Sequence, residues 1–175
     1  LGPCINASGR LDTAARSLAL LNAKTKEEAA RLAGDLTALN QSRKALTEKG
    51  KEEAIRIIET TELKNDRVLV VYLPDCHESL AGIIAGRIRE KYHRPAFVLT
   101  GGETSAKGSG RSIESYSMYE ELVKCADLMI QFGGHPMAAG LSIEEKNIEE
   151  FRRRLNVNCT LTDEELRPKI VIDVP

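Results

Sequence analysis

What the sequence has least of is net charge: its 25 Lys and Arg are offset by 26 Asp and Glu, for −1 at pH 7 over 175 residues. That excludes a protein that coats nucleic acid by bulk charge, so any phosphate binding has to be local, through a few placed cations. Cys4, Cys76, Cys125 and Cys159 include no C-x-x-C pair, which argues against a zinc or redox motif and for scattered buried thiols. No leader peptide is evident and no apolar run nears the roughly 20 residues that span a bilayer, so no membrane is involved and the cytoplasm is the expected compartment. Asp and His never cluster at spacings suited to a pair of metal ions. His77, His93 and His135 lie far apart, and no Ser-His-Asp or Cys-His set is evident. No catalytic residue and no metal ligand is therefore assigned, and the chain reads as a binding half without its own engine.

What is present is a soluble globular composition, 29% charged and 42% hydrophobic, with enough chain for one good core or for one domain and part of another. Residues 11–22 have a helical composition with no strong breaker. Thr25 with Glu28 three residues on matches a capping box, and from there Leu32, Leu36, Leu39, Leu46, Ala54, Ile57 and Ile58 recur at helical spacing towards Thr61, with Gly50 a point of kinking or interruption. An amphipathic helix of that length packs along a neighbouring domain or links two domains. The pattern then alternates. Strands are expected at 68–73, 95–100, 106–113, 138–143 and 170–172, and helices at 79–92, 117–131 and 148–155. This is an α/β arrangement, an open sheet domain from about residue 64 onwards. The first residue is not Met and the last lie in an apparent strand, which suggests a piece of a longer protein.

Four segments carry candidate ligand chemistry. Gly133-Gly134-His135-Pro136-Met137-Ala138-Ala139-Gly140 frames one imidazole with residues that have little or no side chain, letting a ligand approach the backbone. The plainer alternative is a capped histidine in a turn. Lys107-Gly108-Ser109-Gly110-Arg111-Ser112 offers two cations and two hydroxyls, and an arginine grips a phosphate with two parallel hydrogen bonds. Its glycines mark either close approach of a ligand or an edge strand with a bulge. Cys76-His77-Glu78 falls at the end of the first expected strand, where open α/β sheets hold ligands, or it merely starts the next helix. In Gly2–Arg10, Asn6 and Arg10 flank a small-residue turn, with a helix N-terminus just after it as an anion site, or the turn is an ordinary one. Lys24, Lys44, Lys49 and Lys51 read as a solvated helix face.

The same segments carry a resemblance. Gly2–Leu11 is similar to the stretch that closes the catalytic domain of RecJ-like single-stranded-DNA exonucleases, a family of the DHH phosphoesterase superfamily. His77-Glu78-Ser79-Leu80-Ala81-Gly82-Ile83-Ile84-Ala85-Gly86-Arg87-Ile88, Lys107–Ser112 and Gly133–Gly140 resemble three successive motifs of the DHHA1 domain in that family, in order and in register. Ser79-Leu80 stands where such chains usually have Gly-Val. The resemblance implies three segments: the end of the DHH domain (1–24), a connecting helix (25–63) and a DHHA1 substrate-binding domain (64–175) built on an open mixed sheet flanked by helices. It implies 5′→3′ digestion of single-stranded DNA in repair and recombination. Substrate-facing roles then fall to Arg10, Arg111 and His135, supported by Asn6, His77, Lys107, Ser109, Ser112, Gly133 and Gly134. Mn2+ (or Mg2+) would bind the full-length parent through residues absent here, leaving the fragment alone inactive. Two other readings share parts of this signature: an oligoribonuclease or cyclic-dinucleotide phosphodiesterase, and a non-catalytic module like that of alanyl-tRNA synthetases.

Overall fold

A computed structural model describes residues 2–168, and the chain divides into two compact units, the first ending at Gly50 and the second starting at Lys51.

In the first unit Gly2–Leu11 forms α1 and Ala15–Leu21 forms α2. Both readings of this region need correction: Gly2–Arg10 is a helix rather than a turn, and the expected helix over 11–22 is broken at its start. Pro3 is tolerated because the first helical turn has no partner for its missing N–H. Asp12 and Thr13 break the run because their side chains bond the backbone themselves: Asp12 Oδ1 accepts from Thr13 N–H at 2.8 Å, and Thr13 Oγ1 from Ala15 N–H at 3.2 Å. Arg10 consequently occupies the last turn of α1, the negative end of a helix, where a cation is favoured. The helix N-terminus expected just after this segment lies at Ala15, beyond Asp12 and Thr13. Ser8 and Ser17, both buried, join α1 to α2 through their hydroxyls at 2.7 Å.

Helix α3 runs from Lys26 to Thr60 without a break at Gly50. Its start follows the expected cap: Thr25 Oγ1 accepts from Glu28 N–H at 3.1 Å, while Glu28 Oε2 accepts from Lys24 N–H, one residue upstream of the usual return bond. Buried Leu36, Asn40, Thr47, Ala54 and Ile58 recur at spacings of four and seven and so share one face.

The second unit is built on five strands: β1 (Leu69–Leu73), β2 (Ala96–Thr100), β3 (Ala106–Arg111), β4 (Met129–His135) and β5 (Ala138–Ile143). Their order is β1-β2-β3-β5-β4, with β1 and β2 parallel and the other pairs antiparallel. Because successive residues point to opposite faces, the register sorts the sheet cleanly. Val70, Phe97, Leu99, Ala139, Leu141 and Ile143 face α5 (Met118–Lys124) and α6 (Ile148–Asn158), whose Met118, Leu122, Phe151 and Leu155 are fully buried. The opposite face takes α4 (Glu78–Tyr92), which packs on β2 and β3 through buried Leu80, Ala81, Ile84, Ala85 and Ile88.

Two expectations change here. The helix over 117–131 stops at Lys124, and residues 129–135 form the edge strand β4. Ser117 does cap α5, accepting from Glu120 N–H, but the tight two-residue turn Pro136-Met137 brings residues 129–135 alongside β5, and this pairing overrides the local helical pattern. The second change concerns β3, which is central and unbulged, not an edge strand. Its glycines answer to packing: a Cβ on Gly110 would lie 2.5 Å from Met118 Sδ and 2.6 Å from Phe97 Cε1, and one on Gly108 3.1 Å from both Leu99 and Leu141. The expected strand at 170–172 lies outside the described residues. No described helix is long and apolar enough to cross a membrane.

Candidate functional site

Since Gly108 and Gly110 face the core, the alternate residues Lys107, Ser109 and Arg111 must face the other way, towards α4. The register carries three rows from them across the sheet. Lys107 pairs with Ser142, which pairs with Gln131; Ser109 pairs with Gly140, then Gly133; Arg111 pairs with Ala138, then His135. The outer rows lie about 13 Å apart along the strands. In the middle row a Cβ on Gly133 would meet nothing within 4 Å, and one on Gly140 only Gly108 O at 3.8 Å. These two glycines thus form a floor of bare backbone. The rows of Lys107 and Ser109 line one wall and the floor of an open cleft of about 600 Å³, and Glu78, Ser79 and Ala81 of α4 line the other wall.

Each polar group is held by its local structure. Arg111 Nη1 donates to Gly110 O at 2.7 Å. Its guanidinium lies against Gly82 of α4, where a Cβ would come within 2.7 Å of Nη2, so Gly82 is the residue that makes room for it. Lys107 Nζ pairs with Glu78 Oε2 at 2.9 Å, and that hydrogen bond holds the ammonium above its ordinary pKa. At the N-terminus of α4 the His77 Nδ1 accepts from Ser79 N–H at 3.3 Å and lies 2.8 Å from Ser79 Oγ. His77 is thus the N-cap of α4, as the plainer reading of Cys76-His77-Glu78 as a helix start has it, and its Nε2 takes no part in the cap.

His135 ends β4 at a turn pinned from two sides, with Ser112 N–H donating to Met137 O at 2.9 Å and Met118 N–H to Pro136 O at 3.0 Å. Its exposed imidazole accepts from Met137 N–H at Nδ1 (3.3 Å), which puts the proton of the neutral ring on Nε2. Gly134 serves the turn: at φ 150° its missing Cβ would lie 2.4 Å from Ala138 O.

The structure thus brings Lys107, Ser109, Arg111, Gly133 and His135 onto one face and sets His77 at the start of the helix above it. Gly134 faces away. Ser112 is buried, its hydroxyl donating to Tyr116 O. It holds the loop rather than a ligand, because it lies one residue past the outward-facing Arg111. Asn6 and Arg10 are exposed on α1 of the first unit. Gln131 and Ser142, in the Lys107 row, escaped the sequence reading. Their signal was the two-residue alternation Gln131-Gly133-His135, masked by extending a helix to Gln131. The basic run Arg152-Arg153-Arg154 adds nothing to the site, since Asp66, Glu149, Glu150 and Asp127 pair with it. Among the described residues no three His, Cys, Asp or Glu come together to hold a metal ion.

Comparison with known proteins agrees with this architecture. Among the relatives that bear the name single-stranded-DNA-specific exonuclease RecJ, those of Escherichia coli and Salmonella typhimurium are each 40% identical over the whole of this chain. The chain spans only 32% of either relative's length. The crystal structure of RecJ with Mg2+ from Thermus thermophilus superposes with a TM-score of 0.80 at 33% identity, covering 89% of this chain and 24% of that one. RecJ with Mn2+ from the same organism gives 0.78. The model of the DHHA1 domain matches residues 65–160, the stretch that contains all five strands and the cleft, and the chain belongs to the DHHA1 domain family.

Proposed function

We propose that this chain is the substrate-binding portion of a cytoplasmic RecJ-like exonuclease that digests single-stranded DNA from its 5′ end in repair and recombination, and that it holds the strand by its phosphates on the open face of the sheet. The observation that carries the reading is the face holding the cleft: Lys107 and Ser109 line it beside a floor made by Gly133 and Gly140, and Arg111 follows in the next row of β3. A floor without side chains lets a sugar–phosphate chain lie against the sheet. Arginine and lysine supply the positive charge, and arginine adds paired hydrogen bonds matched to a phosphate. The start of α4, in the facing wall, adds the positive end of a helix. The names of the RecJ relatives supply the substrate class.

On this reading His135 and His77 each present Nε2–H to the strand; Arg10 and Asn6, on α1, are substrate contacts by resemblance alone. Metal ions such as the Mg2+ and Mn2+ in the RecJ structures would supply the hydrolytic chemistry on residues outside this chain.

The test is binding of a fluorescent 5′-phosphorylated oligothymidylate at low and moderate salt, by this chain and by Arg111→Ala. Removing a charged two-bond phosphate contact should weaken binding about ten- to a hundredfold and make the slope of log K against log salt shallower by about 0.7. An Arg111→Ala protein that binds as tightly as its parent removes the phosphate cleft from consideration. Stronger competition by a cyclic dinucleotide or a short oligoribonucleotide than by oligothymidylate points instead to a small-substrate phosphodiesterase.

A further inference from the structure

Glu78 stands where the cleft should be most attractive to an anion. It is the first residue of α4, at the positive end of a 15-residue helix, and its carboxylate meets Lys107 Nζ at 2.9 Å across the gap between α4 and β3. Both residues line the cleft. A phosphate entering there would seek the same two partners that Glu78 already has. We infer that Glu78 is the built-in counter-ion of a Lys107 phosphate subsite, a carboxylate that each incoming phosphate must displace.

This deepens, and rests on, the reading of the cleft as a phosphate site. The two side chains are 55% and 53% exposed, so each can swing into water without burying an unpaired charge, and exposed pairs of this kind are weak. The exchange is therefore easy in both directions. The helix end continues to favour Glu78 after Lys107 has left it, which keeps the carboxylate close enough to reclaim the lysine when the phosphate departs. Glu103 adds a second, weaker negative influence on Lys107. Lys107 thus contributes less to affinity than its charge suggests, and the cleft holds a strand loosely here, while Arg111, seated against Gly82 in the next row but one of the same face, is the firmer contact.

The experiment measures oligothymidylate binding across a salt series for the parent chain, Glu78→Gln, Glu78→Asp, Lys107→Gln, the Glu78→Gln/Lys107→Gln double variant, and Arg111→Ala. Displacement predicts that Glu78→Gln binds about two- to fivefold more tightly, with a salt slope steeper by about 0.7, and that Glu78→Asp behaves like the parent. It also predicts that Lys107→Gln costs little affinity in the parent and several-fold more in the Glu78→Gln background, where the lysine is unmasked. An equal effect of Lys107→Gln in both backgrounds overturns the inference, because simple repulsion by Glu78 would be additive; so does a Glu78→Gln protein that binds no more tightly. If Arg111→Ala weakens binding but the Glu78 variants do nothing, this inference fails and the phosphate cleft stands. If Arg111→Ala is also silent, or no variant binds at all, both fall together.

Discussion

Gly110 and Gly133 look alike in the sequence, yet the sheet register gives them opposite duties, and substituting each by alanine separates these. At Gly110 the new methyl carbon would sit 2.5 Å from Met118 Sδ and 2.6 Å from Phe97 Cε1, more than 1 Å inside ordinary contact distance. Met118 can yield by changing rotamer. Phe97 cannot move far: it is fully buried and packs edge-on against Phe151, with ring centroids 5.4 Å apart and planes at 74°. Overpacking of this sort costs about 1–3 kcal/mol, while replacing glycine in a strand returns about 0.5–1 kcal/mol through the unfolded chain. The net loss is up to about 2.5 kcal/mol, with a middle value of about 1 that lowers Tm by about 2–4 °C for a chain of this size. Gly133→Ala meets nothing within 4 Å and should leave Tm unchanged or slightly raised, but it adds a methyl to the floor of the cleft and should weaken oligothymidylate binding. Differential scanning calorimetry with a binding titration on the same samples decides the matter. Equal Tm values for the two variants, or a Gly133→Ala protein that loses as much stability as Gly110→Ala, would refute the assignment of faces.

Other perturbations test other parts of the molecule. The Asn156 side chain accepts from Val68 N–H and donates to Val68 O, both at 3.0 Å, tying α6 to the residue that enters β1. Val68 is fully buried, so Asn156→Ala strands two backbone groups and should cost about 1–3 kcal/mol; the urea midpoint should fall at constant m-value. Glu150 accepts from Arg153 and Arg154, which hold its carboxyl down at about 2 against an ordinary 4.5. A lowered folded-state pKa stabilises above the unfolded value and is lost as the carboxyl protonates, so this contribution is complete above about pH 4.5 and disappears towards pH 2. Thermal melts of Glu150→Gln across that window should show a flatter dependence on pH than the parent.

The local chemistry of the sequence was enough for much of this protein. Thr25 caps α3 and the His77 segment starts α4, because a cap needs only a side chain and a peptide N–H two or three residues away. The apolar run at 68–73, the Lys–Arg segment and the run at 138–143 likewise marked β1, β3 and β5. Misreadings arose where distant partners decide. Residues 129–131 carry the tail of a helical pattern, and only pairing with β5 makes them a strand. In Lys107–Ser112 the residue types announced phosphate chemistry but not which of them face a ligand. Register turned Lys107, Ser109 and Arg111 towards α4 and put Gly108 and Gly110 against Leu99, Phe97 and Met118. Ser112 was drawn inward to Tyr116 O, a bond that exists only because β3 has ended and the chain has turned. Side-chain identity is a property of one residue, whereas the face it occupies depends on strand pairing and on the helix that covers the sheet. The sequence by itself therefore determined the family, the helix starts and the kind of ligand chemistry on offer. Only the tertiary structure decided that two glycines form a bare floor, two others pack the core, and Glu78 meets Lys107.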